Sequence, residues 1–357
     1  MKKAFITGVT GQDGVYLSEF LLNKGYEVHG LRRRSSSSNI KRINEILTDY
    51  EYNNSKFYLH YGDLTDSLNI VRLINEIKPD EIYNLGAMSH VGLSFQIPEY
   101  TISTDGIGTL RILEAVRILS LEKRVKIYQA STSELFGQAK EVPQNENTPF
   151  YPRSPYGAAK IYAYWITVNY REAYNIFASN GILFNHESPL RGDDFVTRKI
   201  TKGVSNIVNG NQEKILLGNL NSKRDWGHAK DYVRMMWMIL QYESPEDWVI
   251  STGKTTSVRE FIKLCFKYVG IELEFKGEGV NEKGYVKSCN DGNFNLKVGK
   301  EVIGVDKNFF RPTDVDLLIG DSSKALKKLG WKTEFSLNDI VKDMMEYDLR
   351  NCKKKSK

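Results

Sequence analysis

Thr7-Gly8-Val9-Thr10-Gly11-Gln12-Asp13-Gly14 is the stretch that decides the fold. Before it runs Ala4-Phe5-Ile6, which reads as a short buried strand. After it, Val15–Asn23 reads as a helix ended by Lys24-Gly25. Glycines at this spacing permit a tight turn and let backbone approach a pyrophosphate, which the positive end of the helix attracts. A Gly-x-x-Gly-x-x-Gly alone is a weak signal. Between a strand and a helix at the head of an alternating chain, it marks a dinucleotide site.

Working outward, strand candidates recur at Glu27–Leu31, Phe57–Tyr61, Glu81–Leu85, Val125–Ala130 and Gly181–Asn185. Apolar-periodic helices lie between them at Leu68–Ile77, Thr109–Leu119 and Tyr156–Tyr174. This alternation predicts an α/β, Rossmann-type doubly wound parallel sheet covered on both faces. From about residue 187 the pattern loosens. Helices are expected near Thr201–Asn209, Asp231–Leu240 and Val258–Val269, with a strand at Val249–Ser251. A glycine-rich stretch then covers Gly277–Gly304, and a last helix starts at Ser336. The expected division is a dinucleotide-binding domain over 1–186 with a return segment near 225–252. A smaller mixed α/β substrate domain takes 187–224 and 253–350, and 351–357 is a solvated basic tail.

The 357 residues suffice for one large α/β domain and a smaller one. Hydrophobic content of 41% and charged content of 26% are ordinary for a globular protein. Much of what stands out in the net charge of +6 is the tail Lys353-Lys354-Lys355-Ser356-Lys357, so no nucleic-acid or membrane partner is expected. No apolar run approaches the ~20 residues of a membrane span, and the opening Met1–Ile6 breaks at Thr7-Gly8 before a signal segment could form. Cys265, Cys289 and Cys352 are scattered and odd in number. They point away from disulfides and from a metal site, and toward a reducing, cytoplasmic setting.

The second strand runs into Leu31-Arg32-Arg33-Arg34. An acid would normally stand there to accept from the ribose hydroxyls of NAD. Guanidinium groups instead match a 2′-phosphate, so Arg32 and Arg33 favour NADP. Asp63-Leu64, after the third strand, would sit near adenine, or Asp63 would cap the following helix.

The chemistry is carried by Ser131-Thr132-Ser133-Glu134 and by Tyr156-Gly-Ala-Ala-Lys160. Tyr156 and Lys160, four apart on a helix, face the same cleft, and a cation beside a phenol favours its ionised form. Lys160 can also donate to ribose hydroxyls of the cofactor. Tyr52-Asn-Asn-Ser-Lys56 fits the same pattern but has no other catalytic feature around it. Thr132 and Glu134 follow the fifth strand, where open α/β sheets place ligands. Hydride transfer needs no carboxylate. Its presence points to proton removal from carbon and expulsion of water, with Glu134 as acid and base and Thr132 bonding the sugar oxygen being oxidised.

At these residues the chain resembles the extended short-chain dehydrogenase/reductase family, specifically the GDP-mannose 4,6-dehydratases. Further matching stretches are Leu85-Gly-Ala-Met-Ser89-His90, Asn185-His-Glu-Ser-Pro189, Phe195-Val-Thr-Arg-Lys199, Arg224-Asp-Trp-Gly-His-Ala-Lys-Asp-Tyr232 and Arg311-Pro-Thr-Asp314. The resemblance implies NADP bound by Gly8 to Asp13, the loop's last glycine Gly14, Asp63, Leu64, Leu85, Gly86, Ala87, Ser89, Tyr100, Lys160, His186 and Arg191. It implies Thr132, Glu134 and Tyr156 as the reacting set. It also implies a GDP-sugar held by Ser89, Asn185, Lys199, Arg224, Arg311 and Asp314. The segment Arg34 to Arg42 is expected to reach a neighbouring subunit of a homodimer or homotetramer.

One stretch departs from the family pattern. Ser188-Pro-Leu190-Arg191-Gly-Asp193-Asp194 stands where the family has Ser-Pro-Arg-Arg-Gly-Glu-Thr. GDP-manno-heptose therefore stands beside GDP-mannose as a candidate substrate. A nucleotide-sugar epimerase or reductase is the competing chemistry within the fold. A non-catalytic NADP sensor would not require Thr132, Glu134, Tyr156 and Lys160 together.

Overall fold

The computed structural model describes residues 1–34, 40–44, 56–290, 294–309 and 317–352. The chain divides into two compact units. The first comprises Met1–Phe184, Ala229–Gly253 and Gly320–Lys332; the second comprises Asn185–His228, Lys254–Ile319 and Thr333–Lys357.

The first unit is built on a seven-stranded, wholly parallel sheet. Its strands are β1 (Lys3–Thr7), β2 (Glu27–Arg32), β3 (Phe57–Tyr61), β4 (Glu81–Asn84), β5 (Lys126–Thr132), β6 (Phe177–Leu183) and the short strand Trp248–Ile250. Their order across the sheet is Trp248–Ile250, β6, β5, β4, β1, β2, β3. The chain reverses its direction of travel between β1 and β4, and such a switch point opens a crevice at the carboxyl ends of the strands. Continuous apolar runs suit strands covered on both faces: Ala4, Phe5 and Ile6 are wholly buried.

The helices follow from local signals. In Ser67–Ile77, Asp66 caps the start by accepting from the Asn69 N–H, and Ile70, Leu73, Ile74 and Ile77 form the buried stripe. Lys78, at φ +50°, ends it. In Pro155–Tyr174, Ser154 accepts from the Gly157 N–H at 3.0 Å, Pro155 takes the first helical position and left-handed Asn175 terminates the helix.

β6 begins four residues before the expected Gly181. Its first half, Phe177-Ala-Ser-Asn, lacks an apolar signature, yet Ala178, Ser179 and Asn180 are fully buried. Asn180 Nδ2 donates to Asp247 Oδ1 at 2.8 Å, and Arg171 donates to the Ala178 carbonyl, so polar strand residues are satisfied from outside the strand.

The second unit has a four-stranded sheet in the order Ile271–Lys276, Lys283–Cys289, Glu301–Val305, Ile215–Leu217. The first three strands are antiparallel, and the last pairs parallel with Glu301–Val305. The glycine-rich stretch thus contains two strands. Helices Val196–Val208, Val258–Tyr268 and Leu337–Asn351 pack one core with this sheet, including Ile200, Val204, Phe261, Phe266, Ile340 and Met344. Capping boxes at Ser257/Glu260 and Ser336/Asp339 start two of these helices.

Candidate active site

The glycine loop joins β1 to the helix Gln12–Asn23. Gly8 has φ +69°, and a Cβ there would lie 2.8 Å from the Gly86 Cα, so two backbone segments meet directly. The loop tightens as the Gly11 N–H donates to the Gly8 carbonyl at 2.9 Å, with Thr10 between them. Gly11 stands at the helix N-cap, and no side-chain cap hydrogen bond forms there. Amides at a helix start without a side-chain acceptor suit an anion. Gln12, Asp13 and Gly14 make the first turn, where Gln12 Nε2 donates to Asp13 Oδ1 at 3.1 Å.

Beneath the loop, Thr7 Oγ1 donates to Asn84 Oδ1 at 2.6 Å and accepts the Gly86 N–H at 2.9 Å. Asn84 Nδ2 donates to Gln129 Oε1 at 2.7 Å. This buried network ties the ends of β1, β4 and β5 together and fixes the start of Leu85-Gly86-Ala87-Met88-Ser89 against the glycine loop. Leu64 is buried beside Gly86, with Cδ1 2.9 Å from where a Gly86 Cβ would stand.

Arg32 ends β2, with its guanidinium 4.4 Å from the Tyr61 ring centroid and bonded to the Tyr61 hydroxyl at 2.5 Å. Arg33, exposed, donates to the Tyr100 hydroxyl. Asp63 accepts from the Thr65 N–H at 2.9 Å, and Asp66, not Asp63, caps the helix that follows. Arg33, Arg34, Tyr61, Gly62, Asp63, Asp66 and Asn69 line a hollow of about 400 Å³. Both carboxylates in it serve their own backbone, and two guanidinium groups stand beside them. That donor set, the Gly8 cradle and the helix start without a side-chain cap fit a dinucleotide carrying an additional phosphate.

Thr132 ends β5, and Glu134 lies in the single helical turn Ser133–Leu135. Thr132 Oγ1 accepts the Glu134 N–H at 3.2 Å, so the hydroxyl shapes the turn that presents the carboxylate. A Cβ on Gly157 would stand 3.0 Å from the Glu134 carbonyl oxygen, which places that turn directly against the residue following Tyr156. Tyr156 is 8% exposed and its N–H donates to Ser94 Oγ at 3.2 Å. Lys160 is 3% exposed; its Nζ lies 5.9 Å from the Tyr156 ring centroid and donates to the Ala130 carbonyl at 3.0 Å. Burial pushes its ammonium below the ordinary lysine value, and the carboxylate of Asp105 works against that. Tyr52 of the second Tyr-x-x-x-Lys pair lies outside the described residues.

In the second unit, Asn185 and His186 belong to the strand Asn185–Glu187, paired parallel to Trp226–His228. Arg191 is ion-paired with Glu187 at 3.2 Å and stands 3.7 Å over the Phe195 ring. Lys199 lies 3.4 Å over the Phe309 ring, and burial lowers its pKa against the pull of Asp306 and Asp194. Arg224 is 9% exposed and donates to the Lys223 carbonyl at 2.9 Å. Arg311 and Asp314 lie outside the described residues, as does most of the Arg34 to Arg42 segment. Arg42 itself donates to the Thr10 carbonyl at 3.3 Å within the same chain.

A family model described as GDP-mannose 4,6 dehydratase matches residues 5–344. The chain belongs to the GDP-mannose 4,6-dehydratase family. It is 58% identical over 354 residues to GDP-mannose 4,6-dehydratase of Yersinia enterocolitica, covering 99% of this chain and 95% of that protein. Against GDP-mannose 4,6 dehydratase of Homo sapiens the identity is 56%, covering 97% and 91%. Among solved structures, UDP-glucose 4-epimerase from Bifidobacterium longum in complex with NAD+ and UDP superposes with a TM-score of 0.78 at 21% identity, covering 98% of this chain and 99% of that one. dTDP-glucose 4,6-dehydratase from Bacillus anthracis gives 0.77 at 18%, covering 98% and 97%. At such identities these two likenesses establish the shared fold.

Two features of this dehydratase-family site had at most a weak sequence signal. Asn84 and Gln129 read as ordinary strand residues. Asp105 sits in a Ser-Thr-Asp-Gly interruption of an apolar helical pattern; a polar break of that kind was the only available signal.

Proposed function

We propose that the chain is an NADP-dependent GDP-mannose 4,6-dehydratase, a hydro-lyase that converts GDP-mannose to GDP-4-keto-6-deoxymannose and water. Its membership of the family supports the reaction. The observation that carries the residue assignment is the packing of the Glu134 turn onto the Tyr156 turn beside Lys160.

The chemistry a bound dinucleotide would supply is reversible hydride transfer, with no net consumption of the cofactor over a turnover. Tyr156, with its charge favoured by Lys160, takes the proton of the carbon-4 hydroxyl, and Thr132 holds that oxygen. The new ketone acidifies the carbon-5 proton, which Glu134 removes. Glu134 then protonates the carbon-6 hydroxyl as it departs as water, and Tyr156 or solvent supplies the final proton to carbon 5. Asn185, Lys199, Arg224, Arg311 and Asp314 hold the GDP portion, where cations answer the pyrophosphate and anchoring the remote nucleotide aligns the sugar.

Arg32, Arg33 and Arg34 support NADP over NAD. A homodimer or homotetramer and a cytoplasmic setting complete the reading. Three free cysteines support the latter, and no described helix is long and apolar enough to cross a membrane. GDP-manno-heptose is kept as the second substrate because Leu190 stands where the family carries an arginine.

The test is to incubate the purified protein with each sugar nucleotide in deuterated water. Deuterium at carbon 5 of a dehydrated product is expected, and the two rates decide the substrate. Glu134→Gln should abolish product while leaving NADP binding intact. Product formation by that variant at near-normal rate would refute the assignment of Glu134.

A further inference from the structure

Arg224 stands in a strand of only two residues, Lys223–Arg224, paired antiparallel with Thr256–Ser257. So short a pairing fixes little by itself, yet Arg224 is buried. The chain on either side shows what holds it. Further along, Trp226 packs on Phe261 with ring centroids 5.1 Å apart, and Trp226–His228 pairs parallel with Asn185–Glu187. On the other side, the Ser222 carbonyl accepts the Val258 N–H at 3.1 Å, and the Leu220 carbonyl accepts the Arg259 N–H at 3.0 Å. Lys223 also bridges to Leu317, shortly after Asp314 in the chain.

The first amides of the helix Val258–Tyr268 are therefore taken by the chain itself. Val258 and Arg259 hold the carbonyls of Ser222 and Leu220, while the Glu260 N–H donates to Ser257 Oγ at 3.2 Å within the capping box. Amides that a helix leaves without internal acceptors here grip the segment that carries Arg224. The helix start is anchored in turn by the Arg259 side chain. Its Nε and Nη2 donate to the two oxygens of Glu282 at 2.7 and 2.8 Å, and Glu282 is 5% exposed. Glu282 leads directly into the strand Lys283–Cys289 of the four-stranded sheet. Arg259 thus ties the Leu220–Trp226 segment, by its backbone, to that sheet, by its side chain. Two parallel bonds from one planar guanidinium fix an orientation that a single swivelling bond does not.

We propose that Arg259, with Glu282, is a positioning residue for the GDP-sugar: it sets the place of the Leu220–Trp226 segment and, through it, of the Arg224 guanidinium. This rests on the assignment of Arg224 to the GDP portion above. Arg259 acts on the ligand through Arg224, and on Asn185 through the pairing of Trp226–His228 with Asn185–Glu187.

The test uses the NADP-loaded enzyme, reading GDP affinity by isothermal titration together with kcat and KM for GDP-mannose. Arg259→Met and Glu282→Gln should each weaken GDP binding and raise KM by about tenfold, part of the contribution of a charge-assisted bond, with kcat little changed. Arg259→Lys restores the charge without the fork and should recover part of that loss, leaving about a threefold effect. A role in stability alone would reduce the active fraction, and with it the apparent kcat, without moving KM or the GDP affinity. Arg224→Ala is the reference, expected to weaken GDP by about 10–100-fold. Adding Glu282→Gln to Arg224→Ala should cost less than about threefold more, because its effect runs through a side chain already removed. Unchanged GDP affinity and KM in Glu282→Gln and Arg259→Lys, or a further full tenfold loss on top of Arg224→Ala, overturns the proposal. Wild-type GDP affinity in Arg224→Ala would instead refute the underlying assignment of Arg224.

Discussion

Gly8→Ala separates the two reasons a glycine is needed in the loop. At φ +69° an alanine pays the left-handed backbone penalty of roughly 1–2 kcal/mol. Its Cβ would also stand 2.8 Å from both the Cα and the N of Gly86 and 2.9 Å from the Leu85 carbonyl carbon, where ordinary contact begins near 3.4 Å. Backbone atoms on both sides cannot rotate away, so the glycine loop and the Leu85–Gly86 segment must part by more than half an ångström. Relieving such overlap costs about 1–3 kcal/mol. The sum is about 2–5 kcal/mol, a fall in melting temperature of roughly 5–15 °C for a unit of this size. Gly25→Ala is the control: its φ is +82°, but a Cβ there would meet nothing within 4 Å. It should lose only the backbone part, about 1–2 kcal/mol, with unaltered NADP binding. Calorimetric melting and titration with NADP would be run on both variants. Gly8→Ala should bind NADP at least tenfold more weakly, because the displaced segments carry the amides proposed to face the pyrophosphate. Equal melting temperatures and equal affinities in the two variants would refute the close-approach argument.

Three further outcomes follow from the same geometry. Replacing both Arg33 and Arg34 by Ala should weaken NADP binding by about 10–100-fold, the worth of charge-assisted bonds to phosphate, while leaving NAD binding unchanged; isothermal titration reads both. Asp247→Ala should destabilise the first unit by about 3 kcal/mol in urea unfolding, because it strands the half-buried Arg171, now bonded to Asp247 at 2.8 and 3.0 Å. Glu114 is held at about 2 by its bond to Arg117, with burial opposing and the Tyr170 hydroxyl assisting. Its depressed value stabilises the fold above the ordinary carboxylate range, and that gain is lost as pH falls from about 5 toward 2. Solvent screening limits it to about 1 kcal/mol, so Glu114→Gln should flatten the urea midpoint between pH 5 and 3 by that amount.

The alternation of strands and helices, the glycine loop and the Tyr156–Lys160 pair were legible because each is a local pattern with a local cause. The first half of β6 was not, since Ser179 and Asn180 become strand residues only once Asp247 and the neighbouring strands satisfy them. Nor was Gly320–Lys332 visible as part of the first unit, where Gln144 and Gly320 bridge and the Trp331 indole N–H bonds the Asp231 carbonyl. The strand Ile271–Lys276 went unread because its glutamates mask a short apolar alternation.

Sequence alone determined the candidate groups for the chemistry: a glycine loop, a phenol one turn from an ammonium, and a carboxylate after the fifth strand. Spacing along one backbone suffices for those. Only the folded chain decided which groups support them, because the Thr7–Asn84–Gln129 network and the packing of Gly106 against the Ala159 carbonyl join residues tens of positions apart. Their meeting is set by parallel strand register and by the π-helical turn Ile102–Gly106, neither of which a linear pattern encodes.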